Sequence, residues 1–181
     1  MSLRIETARP DMAGALLAIY GPYVTGTTVT FEYEVPTEAE FAQRIAGTLA
    51  RYPYLVAMWD ETPVGYAYAG VFKPRAAYDW SVEVSVYVRE DMHGKGVGKA
   101  LYQALEAILI RQGIRNANAC ITSPNPQSEA FHFAMGYRTV AHFSQCGFKH
   151  GHWHDMIWME KHLQDHMGAP APIVPFSQLN Y

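Results

Sequence analysis

The stretch SVYVREDMHGKGVGKALYQAL, residues 85–105, places three glycines within five positions between a valine-rich run and a helix-like one. A glycine turn that opens a helix usually binds an anion, because the first backbone N–H groups of the helix have no partner there and the helix dipole favours negative charge. The stretch therefore predicts an anion site between a strand and a helix. The spacing of its residues decides which anion fits.

Two well-known phosphate-binding patterns do not fit this turn. The Walker A pattern, G-x-x-x-x-G-K-[ST], would need glycine at His93, and Ala100 stands where the metal-binding hydroxyl belongs. The dinucleotide pattern, G-x-G-x-x-G, fits Gly94 and Gly96 but then meets Lys99 in place of the third glycine. Both nucleotide-binding classes are therefore disfavoured, and a surface turn without a ligand is the plain alternative.

Composition and charge narrow the class of protein. The chain has 181 residues, 49% of them hydrophobic, and a formal net charge of −3, which is typical of one well-packed globular domain. This charge gives no reason to expect nucleic acid or a membrane as a partner, and no apolar run approaches the roughly 20 residues that span a bilayer. Nothing like a secretory signal precedes Cys120 and Cys146, so we expect reduced thiols and a cytoplasmic protein.

The segments on either side of the turn have clear periods. Residues 81–88 alternate as in a strand, which places Val82, Val84, Val86 and Val88 on one face and Glu83, Ser85 and Tyr87 on the other. After the turn, the pattern predicts a helix from about Gly98 to Gln112, with Gly113 as the residue that ends it.

The rest of the chain predicts one mixed α/β domain. Upstream, the pattern predicts a strand at 3–8, a helix at 12–20 that stops at Gly21-Pro22, a helix from the capping box of Thr37 and Glu40 to about Arg51, and a hairpin over 54–72. Downstream, it predicts a strand at 116–122, a helix at 126–135 that Gly136 ends, and a strand pair at 139–148 and 152–160. We expect a single domain over 1–165 and an irregular, proline-containing tail over 166–181.

The turn HGKGVGKA, residues 93–100, resembles the pattern Q/R-x-x-G-x-G/A of the GNAT superfamily of N-acetyltransferases, with His93 where Gln or Arg is usual. This resemblance covers about residues 3–162. It implies an α/β fold of the α+β type, with a mixed, mostly antiparallel central sheet of about seven strands and helices on both faces. The sheet is expected to splay between the strand that ends at Val88 and the strand near Ala119.

The same resemblance implies a binding site for acetyl-CoA in that gap, and no metal. In this superfamily the turn holds the pyrophosphate through backbone amides, and the pantetheine arm pairs with the backbone of the preceding strand. The cofactor-binding residues that it implies are Val86, Tyr87, Val88, His93, Gly94, Lys95, Gly96, Val97, Gly98, Lys99, Asn125 and Ser128.

Three longer segments carry a closer resemblance. The runs YPYLVA (52–57), GYAYAGVFKPRAAYDWSVEVSVYV (65–88) and GFKHGHWHDM (147–156) are similar to those of the bacterial phosphinothricin and methionine sulfoximine N-acetyltransferases. This resemblance implies transfer of an acetyl group to the α-amine of phosphinothricin, methionine sulfoximine or methionine sulfone. The implied partner is thus a small-molecule amino acid, and the family commonly forms homodimers.

The resemblance also implies the catalytic and substrate-binding residues. Glu83 is the implied catalytic carboxylate, because an amino acid arrives as an ammonium ion without a lone pair and a base must remove a proton. The substrate-binding residues that the family implies are Phe31, Lys73, Pro74, Arg75, Tyr78, Glu83, Val84 and Ser85. The planar guanidinium of Arg75 suits a carboxylate or a phosphinate. A solvated basic loop and a solvent-facing strand carboxylate are the alternatives.

His132 stands four residues before Gly136, where many members of the superfamily have a tyrosine that protonates the departing thiolate of CoA. An imidazole can donate a proton to sulfur and regain it near neutral pH. The alternative is a packing histidine, because Phe131, Phe133 and Met135 around it are apolar.

Two other functions stay open at this point. His150, His152 and His154 would share one face of a strand, and His-x-His is a metal-ligand spacing, so a zinc-dependent hydrolase is one alternative. A non-catalytic acetyl-CoA sensor with an idle base is the other. The sequence does not disclose the physiological amine or the oligomeric state, although Phe176 and Tyr181 in the tail offer aromatic surface to a partner.

Overall fold

The alternating strand before the glycine turn forms the centre of the fold. The structure, a computed structural model, describes residues 2–179. Within them seven strands form one sheet: β1 (Leu3–Thr7), β2 (Tyr54–Trp59), β3 (Thr62–Val71), β4 (Ser81–Val88), β5 (Asn116–Ser123), β6 (Arg138–Lys149) and β7 (His152–His162). The same residues form four α-helices: α1 (Ala13–Gly26), α2 (Glu38–Leu49), α3 (Val97–Gln112) and α4 (Pro126–Ala134). The predicted α/β fold with about seven strands is confirmed.

The strand order is β1-β2-β3-β4-β5-β7-β6, and every neighbouring pair is antiparallel except β4 with β5. The parallel pair holds together only where Ser81–Glu83 lies beside Asn116–Asn118. Beyond Glu83 the two strands have no paired residues, so a gap opens between them. This gap is the predicted splay between the strand ending at Val88 and the strand near Ala119.

The two faces of the sheet carry different side chains because neighbours along a strand point to opposite sides. The valines of β4 face α3, where Val82 and Val84 are buried in a core with Leu101 and Leu105. The other face carries tyrosines, including Tyr66, and packs against α1 and α2. The predicted alternation of β4 and the placement of helices on both faces are thereby confirmed.

Glycines terminate α3 at both ends, as the sequence predicted to within one residue. Gly96 precedes the helix with a φ of 80°, and Gly113 follows it with a φ of 90°. Both angles lie in the left-handed region that costs other residues energy. At α2 the predicted capping box is also present, since Thr37 and Glu40 exchange hydrogen bonds between side chain and backbone.

Helix α1 is longer than predicted, because it passes through Gly21-Pro22 and ends at Gly26. Proline removes one hydrogen bond from a helix. Pro22 itself is exposed to solvent, and the helical turn that follows it is held by contacts with the rest of the protein. Val24 is buried, and the hydroxyl of Tyr23 donates to the Val88 carbonyl at 2.5 Å. Tertiary packing thus outweighs the local stop signal, and the predicted end at Gly21-Pro22 was wrong.

The C-terminal tail lies against the domain. Residues 163–175 have no regular structure, and a short 3-10 turn follows at Phe176–Gln178. Phe176 is 7% exposed, so it packs within its own chain; Tyr181 lies outside the described residues. No helix within residues 2–179 has the length and apolar character that a membrane span requires.

Candidate active site

A cavity of about 290 Å³ lies beside the glycine turn, between the free end of β4 and the start of α4, which follows β5. Ten of the twelve predicted cofactor-binding residues line it: Val86, Val88, His93, Gly94, Gly96, Val97, Gly98, Lys99, Asn125 and Ser128. These residues come from β4, the turn, α3 and the start of α4. The gap and the turn therefore form one continuous site.

The side chains of the other two predicted residues do not line this cavity. Alternation along β4 sends the ring of Tyr87 to the opposite face, where it contacts Tyr20 and Tyr23 with ring centroids 4.9 and 5.3 Å away. Lys95 is exposed in the turn, and its Nζ lies 3.7 Å from the Met92 sulfur. Only the backbone of these two residues is part of the strand and turn that border the gap.

The cavity also has lining residues that the sequence did not indicate. These are Tyr23, Val29, Met92, Gln127 and Phe131. Tyr23 reaches the cavity because α1 continues past Pro22, and its hydroxyl lies 2.9 Å from Nε2 of His93. Phe131 could have been found from helical spacing, since it lies three residues after Ser128 on the same helix. Val29 comes from a loop whose sequence has neither the helical nor the strand period, so no sequence pattern indicated that it lines the cavity.

The turn has the properties of an anion cradle. Gly94 and Gly96 are left-handed, with φ of 72° and 80°, and a Cβ added at either would meet nothing within 4 Å. The first amides of α3 have no acceptor within the helix and lie at the positive end of its dipole. Lys99 adds a cationic side chain to the lining. These features fit a pyrophosphate, and they need no metal-binding hydroxyl.

Glu83 lies at the apex of the gap, since it is the last residue of β4 that pairs with β5. Its opposite neighbour on β3 is Gly70, where an added Cβ would also meet nothing within 4 Å, so space is open beside the carboxylate. Burial raises the pKa of Glu83 above its usual value, and the nearby Lys73 ammonium opposes that rise. A carboxylate in this setting can act as a general base near neutral pH.

The loop between β3 and β4 carries four of the predicted substrate-binding residues, Lys73, Pro74, Arg75 and Tyr78. Nζ of Lys73 is 5.2 Å from the ring centroid of Phe72 and 5.7 Å from that of Trp158, and the Tyr78 ring is 6.0 Å from Phe72. Pro74 and Arg75 are exposed on the same loop. The loop therefore brings the Lys73 ammonium and the Phe72 and Tyr78 rings to the face that Glu83 occupies.

The remaining predicted substrate residues divide between the two faces. Ser85 shares a face with Glu83, whereas the side chain of Val84 is buried on the α3 side. Phe31 comes from the loop between α1 and α2, with its ring centroid 6.2 Å from that of His154. A Cβ at Gly147 would overlap the Phe31 ring, so glycine is needed there.

His132 is buried, with 4% exposure, and does not line the cavity. Its Nδ1 lies 2.8 Å from the Ser128 carbonyl and its Nε2 lies 3.0 Å from the Tyr102 hydroxyl. Because a carbonyl only accepts, Nδ1 carries the proton, and Nε2 accepts from Tyr102. Burial lowers the pKa of His132. Its role as the thiolate acid stays a prediction, and this bonding supports a packing role instead.

The three histidines of the last hairpin do not gather around one point. His150 lies in the turn between β6 and β7 with a φ of 51°, so it does not share a strand face with the other two. Nε2 of His154 lies 3.0 Å from the Lys149 carbonyl. Across residues 2–179, no group of three or more His, Cys, Asp or Glu side chains is arranged to hold a metal ion.

Comparison with known proteins gives relatives over nearly the whole chain. Residues 5–158 match the family model of the acetyltransferase (GNAT) domain. Phosphinothricin N-acetyltransferase of Streptomyces viridochromogenes is 36% identical over 99% of this chain and 96% of its own length. L-methionine sulfoximine/L-methionine sulfone acetyltransferase of Pseudomonas aeruginosa is 36% identical over 94% of this chain and 100% of its own.

Solved structures agree with these matches. The crystal structure of a GNAT superfamily phosphinothricin acetyltransferase from Sinorhizobium meliloti, in complex with acetyl-CoA, superposes with a TM-score of 0.91. It is 33% identical to this chain, and the match covers 98% of both chains. A second structure with acetyl-CoA, that of an acetyltransferase from Salmonella typhimurium, is 28% identical with a TM-score of 0.89, covering 93% of this chain and 98% of that one.

Proposed function

The chain belongs to the GNAT acetyltransferase family, and we propose that it acetylates the α-amine of a small amino acid such as phosphinothricin, methionine sulfoximine or methionine sulfone. Acetyl-CoA is the co-substrate. One observation carries this proposal: Glu83 is the last residue of β4 that pairs with β5, so it stands where the gap begins, and Val86 and Val88 further along the same strand line the cavity beside the glycine turn. A base and a thioester site thus border the same opening.

Different residues around the cavity would bind different parts of acetyl-CoA. The amides of the turn and of the first turn of α3 would hold the pyrophosphate. The free edge of β4 beyond Glu83 would pair with the amides of the pantetheine arm, which leads the thioester toward Glu83. When bound, acetyl-CoA supplies an acetyl group that is already activated, so no covalent enzyme intermediate is required.

Glu83 is the proposed general base. It takes a proton from the substrate ammonium, directly or through a water, and the freed amine attacks the thioester carbonyl carbon. A backbone N–H of Ser85–Val88 would stabilise the oxyanion that forms. Attack forms the C–N bond, and the nitrogen then gives up its second proton to solvent or to the departing sulfur. The C–S bond breaks, and the thiolate takes up a proton and leaves as free CoA. His132 stays the predicted source of that proton, whereas the hydrogen bonds of its two ring nitrogens favour a packing role.

The loop above Glu83 is the proposed source of substrate selectivity. The guanidinium of Arg75 would bind the carboxylate or phosphinate of the amino acid, and Lys73 would add a second positive charge. The rings of Phe31 and Tyr78 would border the side chain. This set suits a short substrate that carries one amine and at least one anionic group.

A panel of amino acids tested with acetyl-CoA decides the proposal. We expect free thiol to appear when phosphinothricin, methionine sulfoximine or methionine sulfone is present, and not with acetyl-CoA alone. Calorimetry would measure acetyl-CoA binding in parallel. Tight acetyl-CoA binding without amine-dependent thiol release would contradict the proposal and point to the sensor function.

We also propose that the protein is a cytoplasmic homodimer. The edge strand β6 and its hairpin partner expose large apolar side chains, among them Trp153 at 62% exposure, Val140, Phe143 and Phe148. An exposed apolar edge favours pairing with another copy. Light scattering should give a mass twice that of the chain for the wild type and a lower mass for Trp153→Glu. A monomeric wild type would contradict the proposed homodimer. Cell fractionation would test the location.

A further inference from the structure

Lys149, at the end of β6, is a buried cation that neither lines the acetyl-CoA cavity nor belongs to the predicted substrate-binding residues. It is 1% exposed, and its Nζ donates to the Val24 and Thr30 carbonyls at 2.7 Å each. Val24 lies in the last turn of α1, where carbonyls lack helix partners and the dipole is negative. Burial lowers the pKa of Lys149, whereas the charge of Glu32 raises it. The ammonium thus joins the end of α1 to the segment that follows.

That segment, residues 27–33, is here named the crossing loop. It has no regular structure of its own, and other side chains hold it at the same end of the sheet. The hydroxyl of Thr122 on β5 donates to the Thr28 carbonyl, and the hydroxyl of Tyr33 donates to the Phe148 carbonyl. Lys149 differs from these two because its donor is charged, and charged donors make the stronger hydrogen bonds.

The crossing loop contributes to both halves of the active site. Val29 lines the acetyl-CoA cavity, and Phe31, the predicted substrate residue, rests against Gly147 on the side where Glu83 lies. One loop therefore borders both substrates, and Lys149 bonds to the backbone between Val29 and Phe31, at Thr30.

We infer that Lys149 is a positioning residue that fixes the crossing loop and thereby sets the affinity for acetyl-CoA and for the amino acid together. The effect on the amino acid rests on the proposed function. The effects on loop order and on acetyl-CoA binding do not. Lys149 would touch neither substrate, since it acts through the backbone of the loop.

The test compares Lys149→Met with the wild type by hydrogen exchange, calorimetry and steady-state kinetics. We expect amide exchange in residues 27–33 to speed up about tenfold or more without substrates, because two carbonyls lose a charged donor. The Kd for acetyl-CoA and the KM for the amino acid should both rise, with a smaller change in kcat. Lys161→Met is the matched control, since Lys161 pairs with Glu106 at 2.6 Å on the α3 face and does not contact the loop.

Two further variants keep the inference testable if Lys149→Met does not fold. Thr122→Val removes the neighbouring anchor with little change in volume, and it should loosen residues 27–33 in the same way. Gly147→Ala pushes only the Phe31 ring, so it should raise the KM for the amino acid and leave the acetyl-CoA Kd unchanged. Wild-type exchange rates and an unchanged acetyl-CoA Kd in folded Lys149→Met would overturn the inference, whereas an inactive wild type would refute only the proposed function.

Discussion

At the scale of single residues, the environment of Glu83 determines how well it can act as a base. Its raised pKa results from burial, so the carboxylate takes up a proton at a higher pH than a solvated glutamate does. A base works only in its ionised form. We therefore expect kcat/KM for the amino acid to fall as the pH falls through this raised pKa.

Glu83→Gln keeps the size of the side chain but cannot accept the ammonium proton. We expect turnover at pH 7 to fall by roughly 10²-fold or more, within the range for a positioned base. The loss should shrink as the pH rises, because more substrate arrives with a neutral amine. Thiol-release kinetics from pH 6 to 10 measure this, and a wild-type rate at pH 7 would refute the mechanism.

Lys73→Met tests the electrostatic coupling to that base. The Lys73 ammonium lowers the pKa of Glu83, so its removal should raise that pKa and move the acid limb of the kcat/KM profile to higher pH. Arg75→Ala is the control, since it removes a cation from the same loop. It should raise the amino-acid KM and leave the acid limb in place. Superimposable acid limbs for wild type and Lys73→Met would contradict the coupling.

His132→Phe separates the two roles of this histidine. The change would leave the Tyr102 hydroxyl without its partner and remove the side-chain donor from the Ser128 carbonyl, at a cost of about 1–3 kcal/mol in the free energy of unfolding. From the bonding we expect this loss of stability with kcat within a few-fold of wild type. Unchanged stability with a large fall in kcat would instead establish the proton-donor role.

At the scale of elements, the glycine turn and α3 allow a matched pair of variants. Gly96→Val and Gly113→Val both place a β-branched residue at a left-handed φ, and neither new Cβ would meet a neighbour within 4 Å. Both should therefore lower stability by a similar amount. Only Gly96→Val should weaken acetyl-CoA binding strongly, since its side chain enters the proposed pyrophosphate site. Equal Kd values in the two folded variants would remove the turn from the site.

Elements governed by local rules could be predicted from the sequence. The alternation of β4, the capping box of α2 and the glycine ends of α3 each depend on a few neighbouring residues. The end of α1 could not be predicted, because it depends on contacts between Tyr23 and Val88, 65 residues apart. The metal-site alternative placed His150 on a strand face, but His150 occupies the turn between β6 and β7, in agreement with the predicted strand bounds at 148 and 152.

At the scale of the whole molecule, the candidate site depends on long-range placement. The glycine turn predicted the anion site, and the family resemblance implied Glu83. The contribution of Val29 to the cavity lining, in contrast, depends on where the crossing loop is held. The side chains that hold the loop belong to Thr122 and Lys149. They lie 94 and 119 residues further along the chain than the loop residues that they contact. No periodic pattern encodes such contacts, so the sequence could predict the cradle but not the loop that closes the cavity.

The packing of the C-terminal tail bears on where the domain ends. The Phe176 amide donates to the Arg51 carbonyl at 3.0 Å, and the Gln112 side chain donates to both the Arg51 and Val174 carbonyls. The boundary predicted at residue 165 leaves this tail outside the domain. We expect the opposite: Phe176→Ala should lower the free energy of unfolding by about 3 kcal/mol, as for other buried aromatic residues.

Met167→Ala is the control for this change, since Met167 lies in the same tail at 84% exposure and should alter stability by no more than about 0.5 kcal/mol. Denaturant unfolding measures both variants. The kinetic constants of Phe176→Ala should match the wild type, because Phe176 does not line the acetyl-CoA cavity. If Phe176→Ala left stability unchanged and altered only the oligomeric mass, Phe176 would serve a partner. A loss of stability at unchanged oligomeric mass would instead place residues 166–179 within the domain.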